Sequence, residues 1–376
     1  MAKIKHAVLL CCLLFFWTLS ACADNPQGMT VDGRRYRIVT LAGNLDHPWS
    51  VAFLPDGSFL VTERSGQLLK ISRDGKKREH IKGVPPVAAE DQGGLMDIIM
   101  DPSFLSNRTL YFSFSASGPG GTGTEVARAQ LNGTKLGNVR VIFRALPKTP
   151  VSKHYGSRLL IAPDGKLLVT LGEKTIMLEA QNRGNHLGSV IRINPDGTIP
   201  EDNPFRRIKG YRPEIYTYGH RNIQGIIKHP TTGDIWIHEH GPLGGDELNI
   251  LKKGANYGWP VVTHGIDYSG AIISTRKTAP GIESPILYWT PCIAPSGMTF
   301  YTGNRFPEWK GNLFAGSLVQ LHLRRIVLDG KKTVRQQVLL RALNERIRDV
   351  REGPDGFLYL LTDSDNGRLL RIEPSG

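Results

Sequence analysis

The sequence predicts an all-β fold, a six-bladed β-propeller. An apolar alternating run, a Pro- or Gly-containing turn and a second apolar run recur six times along the 376 residues. The copies start about 45 to 75 residues apart, a spacing that suits blades of four strands with variable loops. No long helical period interrupts them, which leaves α/β folds as poor competitors.

The elements follow in chain order. Lys3 and Lys5 precede an apolar stretch from Ala7 to Leu19 that is too short to span a bilayer comfortably, so residues 1–21 read as a signal peptide and the protein as exported to the periplasm. Leu19, Ser20, Ala21 and Cys22 resemble the lipobox of bacterial lipoproteins, with Cys22 as the acylated residue. A cut after Ala23 is the alternative and gives a free periplasmic protein. Residues 22–35, polar and Gly- and Pro-containing, read as a flexible tether, and 36–374 as the propeller. Membrane contact is then expected only through the lipid.

The six hairpins lie at 50–64, 97–115, 157–173, 224–241, 297–318 and 348–364, each marked by a period of two and by Pro, Asp and Gly punctuation. The last residues, GRLLRIEPSG, and the early YRIVTLAGNL are both strand-like, so the two ends can share one blade and close the ring. A β-sandwich or a pair of small barrels is the competing architecture.

The formal charge of +13 falls to +11 once the leader's Lys3 and Lys5 are removed with it. The basic residues come in short scattered runs without interleaved aromatics, and an exported protein rarely meets nucleic acid, so no nucleic-acid partner is expected. Three of the four cysteines lie at or before position 22, which leaves Cys292 alone and no internal disulfide. A small buried apolar role suits it best.

Propeller ligands collect on loops at one mouth of the central channel. The polar motifs sit just outside the hairpins: Gln92 to Asp97, His154 to Arg158, Tyr218 to Gln224, His240 to Glu247, and Arg346 to Asp349. Such a mouth gathers Gln92, His154, Arg158, Glu173, Arg221, Asn222, Arg346 and Arg348, beside Gly241 and Pro242. Several guanidinium groups around one cavity make a trap for a multiply acidic ligand. His154 is a plausible general base with Glu173 fixing its tautomer, although a lone His in a β protein is more often an ordinary hydrogen-bonded residue. Glycines, a proline and carboxylates between Tyr216 and Pro260 suit a hard cation, or are merely turns.

These motifs resemble the soluble quinoprotein sugar dehydrogenases of the glucose/sorbosone dehydrogenase group. The resemblance covers nearly the whole mature chain and rests on DQGGLMD (91–97), HYGSRL (154–159), IPEDNPF (199–205), YGHRNIQG (218–225), EHGPLGGDELN (239–249), KGANYGWP (253–260) and RIRDV (346–350). It implies a propeller that binds pyrroloquinoline quinone and calcium and oxidises the anomeric carbon of an aldose to the lactone, with an unknown electron acceptor. Carried over by residue, His154 is implied as the base, Glu173 as the acid that orients it, and Arg221 as a residue of the catalytic centre. Gln92, Arg221, Asn222, Tyr268, Arg346 and Arg348 are implied as cofactor contacts. The carbonyls of Gly241 and Pro242 are implied as calcium ligands, and Glu247 and Tyr257 as a second calcium site with Asp246 as a helper.

One departure stands out. Several relatives carry a lysine after the GxL motif of the fifth blade, whereas here Val319 and Gln320 follow Gly316-Ser317-Leu318, with Arg324 or Arg325 as substitutes. That departure keeps a second expectation open: a calcium-stabilised propeller that binds sugar without redox chemistry. A lactonase-type hydrolase is disfavoured, because the expected centre is rich in arginine and poor in acids.

Overall fold

The computed structural model describes residues 28–375. The leader, its lipobox and Cys22 lie outside the described residues.

Six antiparallel sheets form the molecule. Each predicted hairpin supplies the first two strands of one sheet, beginning with Pro48–Phe53 and Phe59–Glu63 in blade 1 and Leu95–Met100 and Thr109–Gly118 in blade 2. Blade 3 starts with Leu159–Ile161 and Leu167–Thr170, and blade 4 with Ile223–Lys228 and Ile235–Glu239. Blade 5 starts with Pro295–Phe300 and Leu313–Ser317, and blade 6 with Ile347–Glu352 and Leu358–Thr362. The first strand of every blade touches the first strands of both neighbours, and that cycle of contacts closes the ring. All-β closure of this kind leaves only short protected edges.

The ends meet as the alternating patterns require. Gly367–Pro374 pairs with Arg34–Leu45 in blade 6, with Ile38 opposite Ile372 and Tyr36 opposite Pro374. Of the tether expected over 22–35, residues 22–27 lie outside the described residues, and the remainder is ordered into a hairpin. Gly28–Val31 forms a strand against Arg34–Leu45 through a two-residue Asp32-Gly33 turn. Both turn residues have positive φ, 49° and 79°, which is the geometry that Asp-Gly favours between twisted strands. Asp32 then receives Arg325 of blade 5 at 2.7 Å, so the hairpin is pinned to the propeller.

The cores lie between blades, because each sheet buries both faces against its neighbours. Blades 5 and 6 share Tyr301, Phe306, Trp309 and Phe314 with Leu360 and Leu370. Blades 6 and 1 share Leu45, Val51, Phe59, Leu361 and Leu369. Truncating one of these leucines to alanine would cost about 2–5 kcal/mol.

The central channel, by contrast, is polar. Arg158, expected at the mouth as an anion clamp, is instead 2% exposed and spans this channel. Its Nη1 lies 2.9 Å from Asp349 Oδ1, its Nη2 donates to the Arg348 carbonyl, and its Nε donates to the Gln224 carbonyl at 3.0 Å. Arg158 ties blade 3 to blades 4 and 6 and supports the floor of the mouth. A buried guanidinium satisfied on three sides by the protein is not free to clamp a ligand.

Candidate active site

Above that floor a cavity of about 380 Å³ opens at the mouth, on the side where loops connect the blades. Five of the sequence-predicted residues line it together: Gln92, Asn222, Tyr268, Arg346 and Arg348. His154 is not itself among the lining residues; it stands directly before Tyr155 and Gly156, which are, in the segment leading into blade 3. Its peptide N–H donates to Gln92 Oε1 at 3.0 Å, and its Nδ1 lies 2.7 Å from Glu173 Oε2. Thr175 N also donates to that carboxylate oxygen, at 3.2 Å. A buried carboxylate facing Nδ1 fixes the proton there and leaves Nε2 as the acceptor of the ring.

Backbone packing sets this pair. His154 has φ of +52°, and its carbonyl packs against Gly172 so closely that a Cβ on Gly172 would stand 2.2 Å from the His154 oxygen. Gly172 therefore lets blade 3 bring Glu173 beneath the imidazole. Asn222 locks the same corner, accepting the Gly156 N–H on Oδ1 at 3.1 Å.

The cavity is also lined by cations. Arg348 and Arg346 both reach Asp363 Oδ2, at 2.5 Å and 3.2 Å, and Arg346 Nη1 donates to the Leu318 carbonyl. Burial alone would push the Asp363 carboxyl up, but Arg348 and then Arg346 hold it well below the ordinary aspartate range. Arg64 completes this cationic lining. The Nε atoms of Arg64 and Arg348 are buried and have no hydrogen-bond partner.

Arg221 does not line the cavity. Its peptide N–H donates to Glu239 Oε2 at 2.6 Å, and its guanidinium donates to the Gly241 and His240 carbonyls at 2.8 and 3.2 Å, between the rings of Trp259 and Tyr268. It braces the Gly241–Pro242 loop. The Pro242 carbonyl accepts the Cys292 thiol at 3.1 Å. Cys292 is thus a polar brace of the same loop, and burial, then Asp246, pushes its thiol up to about 12. Asp246, expected as a helper ligand, spends both oxygens on the backbone N–H groups of Gly241, Ile293 and Ala294.

Glu247 and Tyr257 lie on a second centre. Glu247 is the cross-strand partner of Glu239, whose other oxygen holds His220 Nδ1 at 2.9 Å, and His220 stacks on Tyr257 at 4.5 Å. Burial, then the Glu239 charge, raises Glu247 to about 8. The Tyr257 hydroxyl donates to the Ile250 carbonyl at 2.6 Å, so only its own carbonyl is free to face a ligand. Among the described residues no three His, Cys, Asp or Glu side chains form a metal-binding group, so any cation here must also take backbone oxygens.

The family model for Glucose / Sorbosone dehydrogenase matches residues 45–371. The chain belongs to this family. Among relatives of this glucose/sorbosone dehydrogenase chain, aldose sugar dehydrogenase YliI of Escherichia coli is 41% identical over 343 residues, covering 90% of this chain and 92% of the relative. The crystal structure of the soluble aldose sugar dehydrogenase of Escherichia coli in its apo form superposes with a TM-score of 0.88 and 40% identity, over 90% of this chain and 100% of that one. The PQQ-bound form of the aldose sugar dehydrogenase of Streptomyces coelicolor superposes with a TM-score of 0.74 and 27% identity, over 90% and 98%.

Several residues that line or brace the cavity of this family member escaped the sequence reading: Arg64, Trp49 and Tyr155, which line it, and Asp363, which holds Arg346 and Arg348. Neither proposed substitute for the missing lysine reaches the cavity. Arg325 is held by Asp32, Asn312 and Gln337, and Arg324 does not line the mouth, whereas Val319 does.

Proposed function

We propose that the chain is a periplasm-facing, lipid-anchored dehydrogenase that oxidises the anomeric carbon of aldoses, using pyrroloquinoline quinone and calcium. The observation that carries this is the His154–Glu173 pair at 2.7 Å, set directly beside a cavity lined by Arg64, Arg346 and Arg348.

The donor set suits a flat tricarboxylate. Buried guanidinium Nε atoms without partners are costly unless an anion meets them. Trp49 and Tyr268 add aromatic faces to the same cavity. The Gly241 and Pro242 carbonyls, each with a second lone pair, would hold one calcium, and Glu247, Glu239 and the Tyr257 carbonyl a second. The facing glutamates, Glu239 buried and Glu247 half-buried, fit a cation better than they fit each other alone. When bound, the quinone would supply the hydride acceptor for the sugar and calcium the Lewis acid that strengthens it.

The chain's own work is then positioning and proton transfer. His154 Nε2 takes the proton of the anomeric hydroxyl, and Glu173 steadies the resulting imidazolium through Nδ1. Gln92 anchors the His154 backbone, and Asn222 anchors the Gly156 turn behind it. Reconstitution tests this reading. Purified protein with calcium and pyrroloquinoline quinone is expected to reduce an artificial dye only when an aldose is present. His154→Ala is expected to keep quinone uptake and lose turnover.

Val319 favours a second reading, since an apolar side chain stands where several relatives place a cation. Under it, the propeller binds sugar without redox chemistry, and the reconstituted protein would bind an aldose while reducing no dye.

A further inference from the structure

Among the described residues that line the cavity, Asp91 is the one acid. It sits in the loop entering blade 2 with φ of +47°, a left-handed conformation that aspartate tolerates better than most side chains. Both of its chain neighbours are bonded to the segment that carries His154. Glu90 Oε2 accepts the Ser152 hydroxyl at 3.2 Å, Gln92 N donates to the Ser152 carbonyl at 3.1 Å, and Gln92 Oε1 accepts the His154 N–H. Arg64 Nη2 donates to the Asp91 carbonyl, which fixes the main chain at this residue. The carboxylate itself is left free. Its side chain is 48% exposed, accepts no hydrogen bond from the described residues, and stands 3.9 Å from the Lys153 amine, beyond hydrogen-bond reach. Burial lowers the Arg64 guanidinium, and Asp363 and then Asp91 act against it, so the Asp91 charge bears on the lining of the cavity.

We infer that Asp91 is a substrate-contacting residue that sets specificity: its carboxylate accepts hydrogen bonds from hydroxyl groups of the aldose held at His154, and its charge turns away sugar acids. An ionised carboxylate offers acceptors and no donor, so it needs a ligand that donates. The acids of a tricarboxylate donate nothing and are repelled, so Asp91 does not serve the group that the arginines fit. Sugar hydroxyls do donate, and a bond to an ionised acceptor is stronger than one between neutral groups. The bonds from Glu90 and Gln92 to residues 152–154 keep this loop against the segment of the proposed base. An ion pair with Lys153 is the competing role, and at 3.9 Å between two half-exposed side chains it stabilises little.

The inference rests on the proposed aldose oxidation, and the test separates the two. Three sugars that share the anomeric centre and differ in charge are compared: a neutral aldohexose, the uronic acid with a carboxylate at its far carbon, and an amino sugar with an ammonium. Steady-state rates are measured for holoenzyme and for its Asp91→Asn and Asp91→Ala variants, while quinone uptake is followed separately by absorbance titration. The Asp91 side chain holds no part of the fold, so both variants are expected to fold and to take up quinone as the wild type does. In the wild type the uronic acid is expected to have the lowest kcat/KM of the three. Asp91→Asn is expected to raise KM for the neutral sugar about tenfold with a smaller change in kcat, and to raise the kcat/KM of the uronic acid relative to the neutral sugar about tenfold. Asp91→Ala, which removes the remaining acceptor, is expected to raise KM further. The same ratios among the three sugars in wild type and variants overturn the inference alone, whether the rates are unchanged or all fall equally, the mark of a residue that only shapes its loop. Wild-type protein that takes up quinone but oxidises none of the sugars overturns the proposed function, and this inference with it.

Discussion

Asp363 Oδ2 receives Arg348 Nη2 at 2.5 Å, and this one oxygen also holds Arg346. The cationic wall is therefore aimed by an acid that never lines the cavity. Asp363→Asn removes the charge that offsets two guanidinium groups, one of them buried, and is expected to cost about 3 kcal/mol of stability in urea unfolding. The sign with pH follows from the direction of the shift. A carboxyl held below its unfolded range contributes fully at neutral pH, and that contribution is lost as the pH falls below the ordinary aspartate range. Wild type and variant are expected to converge in stability in acid; a constant gap down to strongly acidic pH would refute the ion-pair account.

Asp363 also shows where the sequence was legible and where it was not. The six hairpins were visible because the inner strands alternate and end in Pro, Asp or Gly turns. Some outer strands, such as Arg78–His80 and Leu287–Trp289, are three residues long and carry little period. Aligning the hairpins on one another offers the missed signal. Glu63 and Glu239 each end the second strand of a blade, and Asp363 stands one residue past the equivalent strand. All three accept hydrogen bonds from the loop entering their own blade: Asp46 N, Arg221 N and the Arg346 side chain. Arg158 failed in the other direction, because a motif beside the mouth does not reveal that its side chain turns down into the channel. The Asp32-Gly33 hairpin was taken for tether because four residues are too few to display an alternating pattern.

Glu239, buried, and Glu247, half-buried, face each other across neighbouring strands. A divalent ion relieves that repulsion, so chelation is expected to lower the thermal midpoint by several degrees, roughly 2–4 °C per kcal/mol for a chain of this size or somewhat less. Glu247→Gln is expected to abolish the response to chelator. Calorimetry that finds the variant still fully calcium-sensitive would place the stabilising ion elsewhere.

Val319 lines the cavity and is 61% exposed, so a longer side chain fits without displacing the core. Val319→Lys adds a cation to a site read as a tricarboxylate trap. Its charge-assisted bond is expected to tighten quinone binding about tenfold. Fluorescence titration checks this, and an affinity unchanged or weakened by the lysine would argue that the ligand's acids do not approach this rim.

Glu173 acts on the proposed reaction only through His154, since it does not itself line the cavity. Glu173→Gln keeps the shape and removes the charge, so the imidazole loses both its fixed tautomer and the partner that stabilises its protonated form. On the proposed mechanism kcat falls by about 10²–10⁴, the usual range for a positioned acid–base group. Quinone affinity, which on this reading depends on the arginines, is expected to stay within about twofold. Because the two residues work as one unit, the double variant with His154→Ala should be no slower than His154→Ala alone. Stopped-flow reduction of the loaded enzyme by an aldose measures the step directly. Additive losses in the double variant would show that Glu173 has a role of its own, and a Glu173→Gln enzyme with normal kcat would remove His154 from the role of base held by this carboxylate.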